Sequence, residues 1–297
     1  MLSEEEIEKY KKAGKILKQV REYSKTLIKK DALIIEIIKK LEKKIEELGG
    51  ECACPINISL NDIAAHDCAG INDTRKLKKG DLVKVDFGIH VDGYIADSGY
   101  SIEVNNNEHS ELIKCAKTAL ENVIKILEPG ITLSEIGRII EEEAKNNGFQ
   151  PIVNLSGHSI ERFKLHAGIS TPNFDTHSNF KIPEGTVIAI EPFITTGKGV
   201  VNEAGKSKIY EMIKRVPVRI DFVKKIQNYI EKSYNGMPFA NRWLSEAGFK
   251  NVDYALHNLV KSGSLNSYPP LREITHSPVA YAEHTIIILD KPIITTK

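Results

Sequence analysis

The stretch VDFGIHVDGYIAD, residues 85–97, limits the fold more than any other part of the chain. Val85, Phe87 and Ile89 alternate with Asp86, Gly88 and His90, which is the spacing of a strand. Asp92-Gly93 is a two-residue hairpin turn signal, because both turn positions require a positive φ. Closing the turn there pairs Val91 with Tyr94, His90 with Ile95, Ile89 with Ala96 and Gly88 with Asp97. Side chains repeat every two residues, so Asp86 and Asp97 share a face as diagonal neighbours, about 7–8 Å apart. Two carboxylates that close repel unless a proton or cation lies between them. On its own the hairpin allows two readings, a solvated acidic ribbon or half of a metal site.

A second feature is duplication. KLKKGDLVKVD (76–86) lines up with KIPEGTVIAIE (181–191), and Asp86 falls on Glu191, 105 residues later. The surrounding elements repeat in the same order. Ser3 to Glu6 reads as a capping box for a helix to about Lys29, followed by a helix from about Asp31 to Leu48 that Gly49-Gly50 ends. A helix over 109–127 and another capped at Thr132–Glu135, ending near Gly148, restate that pair. Two related halves facing each other would bring Asp86 and Glu191 to one centre.

Composition sets the frame for these signals. Of 297 residues 41% are hydrophobic, enough for a sizeable core, and the net charge of +1 gives no general reason to expect a polyanionic partner. The opening MLSEEEIEKY lacks an apolar signal core and no apolar run is long enough for a bilayer, so a cytoplasmic protein without membrane contact is expected. Cys52, Cys54, Cys68 and Cys115 carry no paired spacing and read as reduced thiols.

NLSGHSIERFKLHAG (154–168) supplies His158 and His166, and Glu191 and Glu283 sit at the ends of apolar strands. A carboxylate in such a place needs compensation for its charge. Asp86, Asp97, His158, Glu191 and Glu283 form an oxygen-rich donor set with one imidazole, suited to a pair of divalent ions in a hydrolytic centre.

DFGIHVDGYIAD, NLSGHSIERFKLHAG, IEPFITTGKG and AEHTIII resemble, in order, the motifs of methionine aminopeptidases, and NISLNDIAAH (57–66) resembles the segment carrying a substrate-facing histidine. The interval of 92 residues from Glu191 to Glu283, with YPPLREI (268–274), resembles the type II branch in an archaeal style. The resemblance implies an α/β pita-bread fold of two pseudo-symmetric halves around a dinuclear metal site, formed by residues 1–204 and 266–297, with a helical insertion at 205–265. It implies that Asp86 chelates one ion, His158 and Glu191 the other, and that Asp97 and Glu283 bridge both. Glu191 would also shuttle the proton, while His66 and His166 would hydrogen-bond the scissile peptide. The two ions would be drawn from Co, Mn, Fe or Zn. The implied reaction is removal of the initiator methionine from nascent proteins, favouring a small second residue. An X-Pro peptidase and a noncatalytic pita-bread protein that binds protein or RNA are the competing readings.

One departure concerns the methionine pocket. The family usually has Ala-Phe-Pro there, whereas this chain reads Ala53-Cys54-Pro55, so Cys54 takes the aromatic position and loses apolar area. His90 and His284 are placed outside the metal site. In the insertion, Asp221 is expected to cap a helix with Phe222, Ile226 and Ile230 on one face, and short helices are expected near 238–247 and 252–261. Residues 206–232 carry eight basic and three acidic residues. A solvated helix face is the plainer reading of that charge, a transient ribosome contact the sharper one; no specific nucleic acid and a monomer are expected.

Overall fold

The computed structural model describes residues 2–297. In the first half, α1 (Glu4–Leu27) begins with the anticipated capping box: Ser3 Oγ accepts the Glu6 N–H at 3.3 Å and the Glu6 carboxylate accepts the Ser3 N–H at 2.8 Å. α2 (Ile34–Glu47) presents Ile34, Ile37, Ile38, Leu41 and Ile45, the i, i+3, i+4 stripe of a packed helix. Both helices bury that apolar side on the hairpin Leu82–Val91 and Tyr94–Glu103, against Val83, Val85, Phe87 and Ile89. The hairpin register runs unbroken from Leu82↔Glu103 to Val91↔Tyr94 and includes Gly88↔Asp97, as the Asp92-Gly93 turn requires.

In the second half, α3 (Ser110–Ile126) and α4 (Leu133–Asn146), the latter boxed by Thr132 and Glu135, cover the sheet formed by Ser170–Pro172, Ser156–Ile160, Val187–Ile190, His284–Ile287 and Ile293–Ile294. Two details repeat across the halves. The backbone bridges Leu33↔Lys76 and Thr132↔Lys181 each tie the start of the second helix to the segment before the acidic strand. Gly80 and Gly185 both adopt positive φ, 89° and 80°, in the turn that launches that strand. Lys76 and Lys181, like Gly80 and Gly185, stand 105 residues apart. The offset read from the sequence therefore has a backbone counterpart.

Hydroxyl groups stitch the halves together. The Asp97 N–H donates to Thr285 Oγ1 and that hydroxyl donates back to the Asp97 carbonyl, both at 2.7 Å. Ser98 Oγ donates to the Glu283 carbonyl, and Ser101 both accepts from the Tyr281 N–H and donates to its carbonyl. A Cβ on Gly99 would lie 1.4 Å from the Tyr281 hydroxyl, so only glycine admits this approach. Lys84 is buried here, donating to the Asn61 and Val279 carbonyls, and desolvation lowers its pKa to about 7.

Residues 209–268 form a three-stranded sheet, Phe239–Ala240, Ile209–Met212 and Leu265–Tyr268, covered by α5 (Asp221–Tyr234), α6 (Asn241–Glu246) and α7 (Val252–Lys261). They bury an apolar cluster of their own, which includes Ile226, Ile230, Phe239 and Leu256. One expectation is corrected: Ile220, not Asp221, is the N-cap of α5, and it makes no side-chain capping bond. Asp221 lies inside the first turn, where its charge faces the positive end of the helix dipole. Phe239–Ala240, expected in a helix, is a strand paired with Ile209 and Tyr210. No helix among the described residues is long and apolar enough to cross a membrane.

Candidate metal centre and its cavity

The seam between the halves opens into a cavity of about 460 Å³. All eight residues singled out from the sequence border it: Cys54, His66, Asp86, Asp97, His158, His166, Glu191 and Glu283. The hairpin delivers Asp86 and Asp97; Glu191 follows the Val187–Ile190 strand, and Glu283 precedes the strand paired with it. His158 lies on the neighbouring strand, opposite Ala189. One donor atom each from Asp97, His158 and Glu283 fall within 4.8 Å of one another. His158 Nε2 is 3.7 Å from both Asp97 Oδ2 and Glu191 Oε1.

The electrostatics of this cluster are unfavourable as they stand. Burial raises the carboxyl pKa of Asp86 to about 6, opposed by the Asn57 amide, which donates to Asp86 Oδ2 at 3.0 Å. Burial, then the charge of Asp86, raises Asp97 well above its ordinary value. Glu191 and Glu283 are raised by burial and then by the neighbouring acids. Among the described residues no lysine or arginine makes an ion pair with any of the four, and Asp97 Oδ1 is buried without a hydrogen-bond partner. Four crowded carboxylates with an orphaned oxygen fit a group that is strongly cationic and accepts oxygen donors, which is the chemistry of divalent metal ions. Burial also depresses His158 to about 3, so its imidazole is neutral at pH 7, the form that ligates metal.

Around this centre the cavity wall is built from separate parts of the chain. His66 has φ +63°, a left-handed conformation that a side chain other than glycine rarely adopts. The next residue holds it there. Asp67 is buried and accepts from Arg75 Nη1 at 2.5 Å and from Lys208 Nζ at 2.9 Å, and Lys208 also donates to the Cys68 carbonyl. Burial, then the nearby His166, lowers the His66 pKa to about 4. His166 opens onto the cavity solvent, its ring 4.5 Å from that of His158, and the protein crowding it lowers its pKa. Tyr268 stands beside both histidines, its ring 5.5 Å from His66 and 6.3 Å from His166, and its hydroxyl donates to Glu211.

Cys54 accepts the Gly88 N–H at 3.2 Å, so its thiol is turned onto the acidic strand. His90 lies outside the centre, accepting the Gly93 N–H at 3.2 Å on its Nδ1 and bracing the hairpin turn. His284 bonds Thr296, also away from the centre. Sequence reasoning missed Asn57, Tyr268, Ile209 and Pro238, which also line the cavity. Asn57 had a local signal, since it opens the NISL strand beside Asp86. The other three come from the 209–268 region; Tyr268 opens the YPPLREI stretch without a site role being read from it, and Ile209 and Pro238 carried no signal.

Two acids on a hairpin, two more on a second strand pair and a neutral histidine between them define a metal-dependent hydrolase. The model of metallopeptidase family M24 matches residues 8–222, and the chain belongs to that family. Within it, the chain stands with the archaeal, type II methionine aminopeptidases. It is 45% identical to the methionine aminopeptidase of Pyrococcus abyssi over 98% of this chain and 100% of that one. It is 41% identical to that of Archaeoglobus fulgidus over the full length of both. Among solved structures, a thermophilic Arx1 superposes with a TM-score of 0.88 at 17% identity, covering 99% of this chain and 91% of that one. Methionine aminopeptidase from Thermotoga maritima superposes with a TM-score of 0.74 at 21% identity, covering 100% and 98%. These two likenesses carry the pita-bread fold; the archaeal relatives carry the activity.

Proposed function

We infer that this methionine aminopeptidase removes the initiator methionine from nascent proteins, preferring a small second residue. The observation that carries the reading is the four buried carboxylates meeting His158 at the edge of a cavity with partly apolar walls. Asp86, Asp97, His158, Glu191 and Glu283 would hold two divalent ions of the Co, Mn, Fe or Zn type. Four ionised carboxylates balance the charge of two dications, which supports two ions rather than one. Such ions supply Lewis acidity that lowers the pKa of water and polarises a carbonyl.

The chain's own groups do the rest. Glu191 borders the cavity, where its carboxylate would take a proton from the attacking water and return it to the leaving amine. His66 and His166, both lowered in pKa by their surroundings, are placed to hydrogen-bond the scissile peptide and the charge that develops on it. Cys54 would border the methionine side chain. The crowding of His66, His166 and Tyr268 narrows the space beyond the scissile bond, in keeping with a small second residue. Residues 205–265 serve as an insertion subdomain that supplies part of the wall.

The test is methionine release from Met-Gly-Ser by apoprotein after addition of each metal, with an Asp97→Ala control and Ala-Pro as competing substrate. Metal-dependent release, absent in the control, is expected. Cleavage of Ala-Pro in preference to Met-Gly-Ser, or no release with any metal from folded protein, would overturn the reading.

A further inference from the structure

One polar side chain on the wall of the metal-centre cavity has a use beyond its bond to Asp86. Asn57 borders that cavity and is 5% exposed. It stands opposite Asp86 in the strand register, and its Nδ2 donates to Asp86 Oδ2 at 3.0 Å. An ionised carboxylate only accepts, so the amide must turn its NH2 to Asp86 and its oxygen away. That oxygen, Oδ1, is buried and has no hydrogen-bond partner among the described residues. A buried acceptor without a donor is costly, and at a binding cavity it marks where a donor on the ligand belongs. Asp97 Oδ1 is the other unpartnered oxygen on this face of the hairpin, and in the reading above it belongs to the ions.

The strand register narrows the choice of donor. Cys54, three residues before Asn57, accepts the Gly88 N–H. Gly88 and Asp86 share a face of the Leu82–Val91 strand two residues apart, a step of about 7 Å. That step matches the span of a methionine from its α-nitrogen to the end of its side chain. A methionine with its thioether against Cys54 therefore carries its amino group to Asn57. Its carbonyl is left for His66 and His166, which border the same cavity. The groups assigned so far serve the side chain, the carbonyl and the ions, and the α-amine has no protein partner among them. Four acids already balance two dications, so a neutral amide oxygen answers an N–H rather than a further charge.

We propose that Asn57 is a specificity residue of this cavity: its Oδ1 accepts a hydrogen bond from the α-amine of the substrate while its Nδ2 holds Asp86. The assignment rests on the aminopeptidase reading and names the group by which that site selects a free N-terminus.

The experiment is titration calorimetry on full-length protein saturated with Mn(II), using L-methioninol and its desamino counterpart. The two ligands differ only in the amino group, and neither has a bond to hydrolyse. The parent should favour methioninol. In Asn57→Ala, with metal content matched by elemental analysis, methioninol should lose at least about tenfold in affinity, the worth of a hydrogen bond to a charged group. The desamino alcohol should bind that variant as it binds the parent. Asn57→Asp, which keeps the shape and an acceptor oxygen, should retain the preference for the amine. An equal loss for both ligands would place Asn57 behind Asp86 alone and overturn the proposal. An unchanged preference in Asn57→Ala, or a lost one in Asn57→Asp, would overturn it as well. Methionine release from Met-Gly-Ser by the same parent preparation keeps the two claims apart. With release present, those outcomes count against Asn57 only; without it the aminopeptidase reading falls, and the assignment with it.

Discussion

The two halves build the same acidic strand pair by different means. In the first, ten residues turn at Asp92-Gly93 and ten return, so the register that places Asp86 and Asp97 on one face is set by local backbone. In the second, the corresponding pairing of Val187–Ile190 with His284–Ile287 closes only after the chain has travelled through the 209–268 region. A short turn settles register before any tertiary contact forms, whereas the long excursion settles it only once everything between has packed. The polar surroundings differ too, since Asp86 has an amide donor in Asn57 and Glu191 has none among the described residues. In the proposed mechanism the first half supplies the more firmly held ligands and the second supplies the proton shuttle, Glu191.

That asymmetry can be broken in several ways. Glu191→Gln should have the largest effect, lowering kcat for Met-Gly-Ser by about 10²–10⁴ through loss of the proton shuttle; a variant within a factor of two of the parent would remove Glu191 from that role. Metal removal should reveal the whole acid group. Asp86, with an ordinary pKa of 3.8, is held near 6 in the folded protein, and the other three are raised as well. Over that range the unfolded chain has fewer bound protons than the folded one, so stability is full below the ordinary pKa and is lost as pH rises. Metal-free protein should therefore melt lower at pH 7 than at pH 5, and a divalent ion should reverse the order; calorimetry showing the opposite trend in apoprotein would contradict the crowding.

Smaller effects sharpen the comparison. Asn57→Ala should weaken metal binding about 10–100-fold by freeing Asp86 to turn, as titration calorimetry would read. Thr285→Val removes both bonds to the Asp97 backbone and should cost about 1–3 kcal/mol in denaturant unfolding. If Thr285→Val left both stability and activity intact, the seam would not be what positions Asp97.

How much of this was legible in the sequence follows the same division. The hairpin was readable residue by residue, because a two-residue turn and a period of two leave no freedom in which side chains share a face. Glu191 was readable through its alignment with Asp86. Tyr268, Ile209 and Pro238 were not, since they reach the cavity through the packing of a region whose sequence speaks only of its own core. The Asp67–Lys208 pair joins residues 141 apart and has no local pattern at all. Asp221 misled by one position because an acid at either the cap or the first turn satisfies the same end of the helix.

The left-handed backbone of His66 has a consequence for evolution under heat. A histidine there carries a strain of about 1–3 kcal/mol that glycine would relieve. Screening a mutant library for thermal resistance alone should thus enrich glycine at position 66 among clones that no longer turn over substrate. Screening for both traits should retain the histidine and seek its added stability elsewhere, leaving position 66 as a visible record of which pressure a lineage has faced.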